Sequence, residues 1–469
     1  MSVSEGSSPN PPLIAARLAE FAANLDGASI PADVRRRACY LILDAVGCAL
    51  AARRHDFASR SLLAISELAG RGDGVVIGHA LRLPIRDAAL ANGVLIHGLD
   101  YDDTHIEGLL HPTASAFTTA FALAAHLGAS GAELLTAYIV GVESAARLAS
   151  VAKGGFHQIG FHPTGLIGAF SSTLIAGRLY GLSAAQLAHA QGIALSMSSG
   201  SLEFLEDGAW TKRIHPGWAA GSGITAAALA RRDFVGPARV YEGRFGLFPS
   251  HLGPLVQGCD YSCATAGLGE VWETPRVAVK PFPSCHFTHA FADAAIALHR
   301  SGVDLGRITR IRALIARESV KTVCEPLANK QRPSNDYDSK FSVPFAIAAG
   351  LVHGRFGLNE HEDACRTDPR ILALAEKVQY EIDPGTGFPR HYSGEVIVQL
   401  DDGRELRHRE QVNRGCADRP LSNEEITDKF LENASAAVSV RRAREIRDAV
   451  TALDTHPSAR AFAESLGEH

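Results

Sequence analysis

The chain has 469 residues, a formal net charge of -5 and a sequence pI near 6.5. The length calls for more than one core, and 46% hydrophobic against 21% charged residues is the balance of a globular chain with a large interior. No basic domain or stripe points to nucleic acid, so any anionic ligand must be held by a local cluster of cations and not by the overall field.

The first residues, "MSVSEGSSPNPP", are polar and rich in Ser and Pro. They lack the basic start and apolar run of a signal peptide and read as a frayed tail. Helical patterning follows. "PLIAARLAEFAANL" spaces its apolar residues at helical period, and "SIPADVRRRACYLILDAVGCALAARR" opens with Ser29 and Pro31, a helix start. "TASAFTTAFALAAHLGA" reads as a buried helix, and no uncharged apolar run reaches membrane-spanning length. "SGAELLTAYIVGVESAARLASVA", "GLIGAFSSTLIAGRLYGL" and "SAAQLAHAQGIALSMSSG" continue the pattern. Their faces are rich in Ala and Gly, which let helices approach closely.

Near residue 269 the pattern changes. "RITRIRALIARESV" alternates as a strand, and "GEVIVQLDDGRELRHREQV" reads as a hairpin turning at Asp402-Gly403. "SKFSVPFAIAAGLVHG" and "DPRILALAEKV" between them read as helices. The stretch 317–340 shows no readable period. "SNEEITDKFLENASAAVSVRRAREIRDAVTALD" returns to helix and can fold back on the first half. The expected fold is therefore mostly α: a large helical domain over 1–268, a smaller α+β lid over 269–411, and C-terminal helices over 412–469 that return to the helical domain. The eight scattered cysteines form no redox, zinc-ribbon or iron–sulfur pattern and read as reduced cytosolic thiols.

Chemistry concentrates in a few places. "HGLDYDDTHIEGLLHPTAS" packs Asp100, Asp102, Asp103, His105, Glu107 and His111 into a dozen positions. It is not a calcium loop: glycine is missing at the sixth position and the terminal acidic ligand is absent. No His-Glu-x-x-His, Gly-x-Ser-x-Gly, Walker or dinucleotide motif occurs. A His-Pro pair recurs at His111, His162 and His215, each before an Ala/Gly-rich run. Proline suits the first helical position, so each His is placed at a helix mouth, where the dipole favours anions and keeps an imidazole neutral. "GAWTKRIHPGWAAGSG" adds Lys212 and Arg213. "VAVKPFPSCHFTHAFADA" adds Lys280 in an apolar context, where a buried lysine calls for an anionic partner, together with His286 and His289. For each single residue the plain alternative is a turn histidine or a solvated charge. A metal-dependent hydrolase rests on ligand count alone.

Together these segments resemble the MmgE/PrpD family. "LDYDDTHIEGLLHPTAS", "GFHPTGLIGAF", "TKRIHPGWAAGSGI", "VKPFPSCHFTHAFADA" and "RPSNDYDSKFSVPFAIAAGLVHG" occur in the family's order over residues 15 to 455. The resemblance implies a helical domain and an α+β lid, a pocket between them, a cytoplasmic homodimer, and catalysis without metal or organic cofactor. By position Asp100, His111, His162, Lys212, Lys280 and His289 match family residues, and Cys285 stands where some members carry a histidine, followed by His286. The candidate catalytic set is Asp100, His111, His162, Lys212 and His289. The candidate substrate-binding set is Lys280, Arg213, His286 and Thr104. The implied partner is a small carboxylate, with no nucleic acid and no membrane. The implied activity is a lyase on a di- or tricarboxylate, dehydration placed slightly ahead of decarboxylation. An epimerase of an amino-dicarboxylate is the neighbouring alternative, and a metal-dependent hydrolase or a turnover-dead binding protein ranks below it.

Overall fold

A computed structural model describes residues 13–435 and 437–467; the expected N-terminal tail lies outside them. Helices dominate the first half, among them Ala32–Ala52, Ile85–His97, Pro112–Leu127, Gly131–Val151, Pro163–Leu179 and His215–Ala230. The 163–179 helix is central and packs on 112–127, 131–151 and 215–230. Glycine makes this possible. A Cβ on Gly93 would lie 2.4 Å from the Gly217 Cα, so the 85–97 and 215–230 helices meet backbone to backbone. By length and composition the 131–151 helix could cross a membrane, yet it lies almost wholly inside the protein, with Glu143 and Arg147 paired along it. A two-stranded ribbon, Gly74–Val75 with Arg82–Leu83, interrupts the helices where the sequence shows no strand signal.

The second half is built around a four-stranded sheet of Ile308–Ile315, Val378–Ile382, Gly394–Leu400 and Glu405–Glu410. The 308–315 strand pairs parallel with 378–382 and antiparallel with 394–400, which in turn pairs with 405–410. The hairpin at Asp402-Gly403 stands as read, with Gly403 at φ 83°. The first strand ends at Ile315, and the rest of the segment read as strand turns into the Arg317–Val323 helix. "VQYEI" escaped the sequence reading: it is too short for its alternation to register. The unreadable 317–340 stretch is a run of short helices, Arg317–Val323, Leu327–Gln331 and Asp336–Ser339. The helices His289–Arg300 and Val343–His353 pack on each other, and the first also packs on the sheet.

The chain then comes back. Asn423–Ser435 and Val440–Thr451 lie on the 32–52 helix, and Ala459–Leu466 lies on 112–127. Lys429 anchors this return: its Nζ reaches Asp44 Oδ1 at 2.6 Å and donates to the Tyr101 carbonyl at 2.8 Å. A buried lysine needs such an anion, and here it ties the last helices to the loop that follows the 85–97 helix. A small cluster of Leu202, Phe204, Tyr337 and Phe341 joins the first half to the second.

Candidate active site

The 85–97 helix ends at His97, and the chain turns sharply. Asp100 takes a left-handed backbone, φ 54°, a conformation that Asp tolerates better than most residues. Thr104 then pairs antiparallel with Ala278, with 2.8 Å hydrogen bonds in both directions. This bridge lays the 100–104 loop along the segment that carries Lys280. His105 and Leu110 close a small hairpin, and Gly108 N–H donates to the His105 ring at 3.1 Å. The hairpin delivers His111 to the start of the 112–127 helix.

Two lysines converge on Asp100. Lys212 forms a short ion pair with its Oδ1, and Lys280 Nζ lies 3.2 Å from Oδ2 while donating to the Asp100 carbonyl at 2.9 Å. All three are buried, at 1%, 3% and 0% exposure for Asp100, Lys212 and Lys280. Burial alone would raise the Asp100 pKa; the two ammonium groups outweigh it and hold the carboxyl well below the usual range.

His111 and His162 are the N-cap residues of their helices, whereas His215 is the first helical residue, one position further in. All three imidazoles are held neutral, and the main cause is burial, with Lys212 adding to it, so the surroundings outweigh the helix mouth itself. His111 Nδ1 lies 2.7 Å from the Asp103 carbonyl. A carbonyl only accepts, so Nδ1 carries the proton and Nε2 keeps the lone pair. His162 and His215 share a hydrogen bond between their Nδ1 atoms at 2.9 Å. Asp103 caps the 112–127 helix through Thr113. Burial raises its pKa to about 8, against the pull of the two Thr113 hydrogen bonds.

Asp100, the two lysines, His111 and His162 line one cleft of about 60 Å³, while Asp103 and His215 stand outside its lining. Asp100, Thr104, His111, His157, His162 and Lys212 come from the first half, and Lys280, Cys285, His286 and Tyr392 from the second. Leu109, Leu202, Phe204, Leu205, Phe287 and Phe341 supply apolar walls. The geometry thus offers paired cations, neutral imidazoles and a largely dry surround, the means to hold a carboxylate and move a proton beside it.

Seven of the nine sequence candidates meet here: Asp100, Thr104, His111, His162, Lys212, Lys280 and His286. Two do not line the cleft. The Arg213 guanidinium is stacked against Phe57 and Tyr337, each 4.2 Å from the ring centroid, and donates to the Gly98 carbonyl. It braces the loop, because a residue adjacent to Lys212 on a tight turn faces another way. His289 stands behind His286 with rings 4.5 Å apart, its Nε2 donating to the Ser284 carbonyl at 3.1 Å. Of the loop residues, His105 pairs with Glu273 and Glu107 with Arg276, outside the cleft. Sequence reasoning missed His97, His157 and Tyr392, and left Asp102 out of the candidate sets. Asp102 is in fact fully buried and accepts from His97 Nδ1 at 2.8 Å.

Nitrogens of His97, His111 and His162 lie within 4.8 Å of one another, a spacing that could suit a cation. Lys212 presses positive potential on the same rings, which opposes a divalent ion there. In two outer groups, around His105 and His353, every carboxylate already pairs with Arg276 or Arg355.

Known proteins are similar to this chain over both of its halves. The MmgE/PrpD N-terminal domain matches residues 16–255 and the MmgE/PrpD C-terminal domain residues 282–455. A cis-aconitate decarboxylase of Aspergillus terreus is 28% identical over 465 residues, covering 94% of this chain and 93% of its own. The cis-aconitate decarboxylase of Homo sapiens is 30% identical over 373 residues, covering 76% and 74%. The 2-methylcitrate dehydratase of Escherichia coli K12 is 26% identical over 396 residues, covering 78% of each. With both domains matched in order, the chain belongs to the MmgE/PrpD family and is an enzyme of its lyase type.

Proposed function

We propose that the cleft decarboxylates a small di- or tricarboxylate in the manner of a cis-aconitate decarboxylase, without metal or organic cofactor. The observation that carries this reading is the mixed lining of the cleft, which holds both the Lys212–Asp100–Lys280 cluster and the apolar rings of Phe204, Phe287 and Phe341. A carboxylate held by the lysines stays solvated by charge, whereas one pressed against the apolar wall loses its water, which favours its departure as CO2. The C–C bond breaks and its electron pair stays on carbon, spread toward a neighbouring unsaturated or carboxylate group. A proton from Nε2 of His111 then quenches that carbon. The resting ring is neutral, and the negative charge of an arriving substrate favours its protonation.

The relatives support this order: the Aspergillus decarboxylase aligns along nearly its whole length. Dehydration remains the second reading, supported by the 2-methylcitrate dehydratases. In that case His111 takes a proton from the carbon beside a carboxylate, and a second group protonates the departing hydroxyl. The test is turnover of a panel of aconitate-, citrate- and succinate-like acids. CO2 release supports decarboxylation; a new ultraviolet-absorbing alkene without CO2 supports dehydration. A change in optical rotation alone moves the protein to the epimerases. Activity abolished by a chelator and restored by a divalent metal overturns the metal-free site.

A further inference from the structure

Asp102 has no part in the chemistry above, yet its position is unusual. Its Oδ2 accepts from His97 Nδ1, while its Oδ1 is buried without a hydrogen-bond partner, 3.9 Å from Nδ1 of His111. Leaving a buried carboxylate oxygen unpaired costs free energy unless a charge compensates it. His97 has its hydrogen bond to Asp102 and a buried, unpartnered Nε2, and its ring lies 4.9 Å from that of His111 and 5.7 Å from that of His162.

The tautomer of His111 does not need Asp102, because the Asp103 carbonyl already takes the Nδ1 proton. Asp102 matters once Nε2 also carries a proton. The groups that bear on the ring are then few. Lys212, Lys280 and His97 oppose the extra charge; Asp102 favours it, and so does the Asp100 carboxylate, which the two lysines already neutralise. Thr104 Oγ1 lies 3.3 Å from Nδ1, Thr164 accepts the backbone N–H, and His162 stands 6.0 Å away, ring to ring. Burial resists ionisation of Asp102, but His97, which donates a hydrogen bond to it, and the Lys280 ammonium keep the carboxyl below its ordinary range.

Resting on the acid/base role proposed for His111, we propose that Asp102, tethered by His97, is the internal counter-ion of the His111 imidazolium formed during turnover. The proton moves between substrate carbon and Nε2; Nδ1 keeps its own proton, and Asp102 takes none. Asp102 is thus a positioning residue that acts through His111, and the same role serves decarboxylation and dehydration alike.

The test is Asp102→Asn, assayed with whichever acid the wild-type protein turns over. The limb of the pH–rate profile that belongs to His111 moves to lower pH by about one unit, and kcat falls about 10- to 100-fold. KM and the binding of a non-reacting dicarboxylate such as succinate change less than about threefold. His97→Ala and His97→Gln decide the matter if that variant does not fold. Alanine frees the carboxylate, whereas glutamine retains a donor toward it and shifts the same limb by less than half as much. An unmoved limb, or a loss carried by KM, overturns the proposal even where the wild type is active. A wild type that turns over no acid overturns the underlying reading instead.

Discussion

Asp100→Asn isolates the charge at the floor of the cleft. Asn accepts the left-handed backbone at this position, so the substitution removes the anion with little conformational cost, whereas Asp100→Ala adds about 1–2 kcal/mol of backbone strain. Without the carboxylate, Lys212 and Lys280 are left as two buried like charges. Breaking a buried ion pair by removing one partner costs about 3–5 kcal/mol. At about 2.1 cal/mol/K per residue, unfolding a chain of this size carries an entropy near 1 kcal/mol/K, so the thermal midpoint falls by about 3–5 °C. The pKa of Asp100 is depressed on folding, so its contribution is present above its unfolded value and lost only as pH falls through the lower folded value. The deficit of the variant is therefore constant from about pH 5 to 8 and shrinks only in strong acid. A dicarboxylate brings replacement anions, so succinate raises the midpoint of Asp100→Asn more than that of the wild type. Scanning calorimetry with and without succinate measures all three effects. A variant that melts with the wild type, gains nothing extra from succinate and retains turnover refutes the role given to the Lys212–Asp100–Lys280 cluster.

Three further outcomes follow from the same structure. His111→Ala lowers kcat about 10²- to 10⁴-fold with a small change in KM, read from steady-state kinetics on the identified acid. Gly93→Ala drives a methyl group into the Gly217 backbone and parts the 85–97 and 215–230 helices, which flank Asp100 and Lys212 in the chain. A destabilisation of about 1–3 kcal/mol or more in a denaturant titration, with turnover reduced alongside, is the expected result. Lys429→Met strands the Asp44 carboxylate and releases the Tyr101 carbonyl, for a loss of about 3–5 kcal/mol; Asp44→Asn in the same chain recovers part of it, measured as a double-mutant cycle.

Much of the architecture was legible in the sequence because it depends on local rules. Helical periodicity, Pro at the first helical position and Asp-Gly at a hairpin act over a few residues, and the helices after His111 and His162 and the turn at Gly403 stand where those rules put them. The strand at 378–382 was not legible, since five residues of mixed polarity become a strand only by pairing with 308–315. The site divides in the same way. Lys280 declared itself as a lysine in an apolar run. His97 gave no signal, because a histidine at the end of an apolar helix looks like any other until Asp102 folds back on it. Lys212 and Arg213 are neighbours of the same charge, and nothing in their order separates them.

The sequence by itself thus determined which residues could do chemistry: His111 and His162 at helix starts, Asp100 in an acidic turn, Lys212 just before the third His-Pro pair and Lys280 among apolar neighbours. Tertiary structure decided which of them meet. The Thr104–Ala278 bridge brings Lys280 to Asp100 across 180 residues of chain, and the Gly93–Gly217 contact lets two helices close until Lys212 reaches the same carboxylate. Burial then keeps the imidazoles neutral, the two ammonium groups keep the aspartate charged against its burial, and Arg213 braces the loop among aromatic rings. Desolvation and charge pairing act through space, so they come into force only when distant segments are packed together.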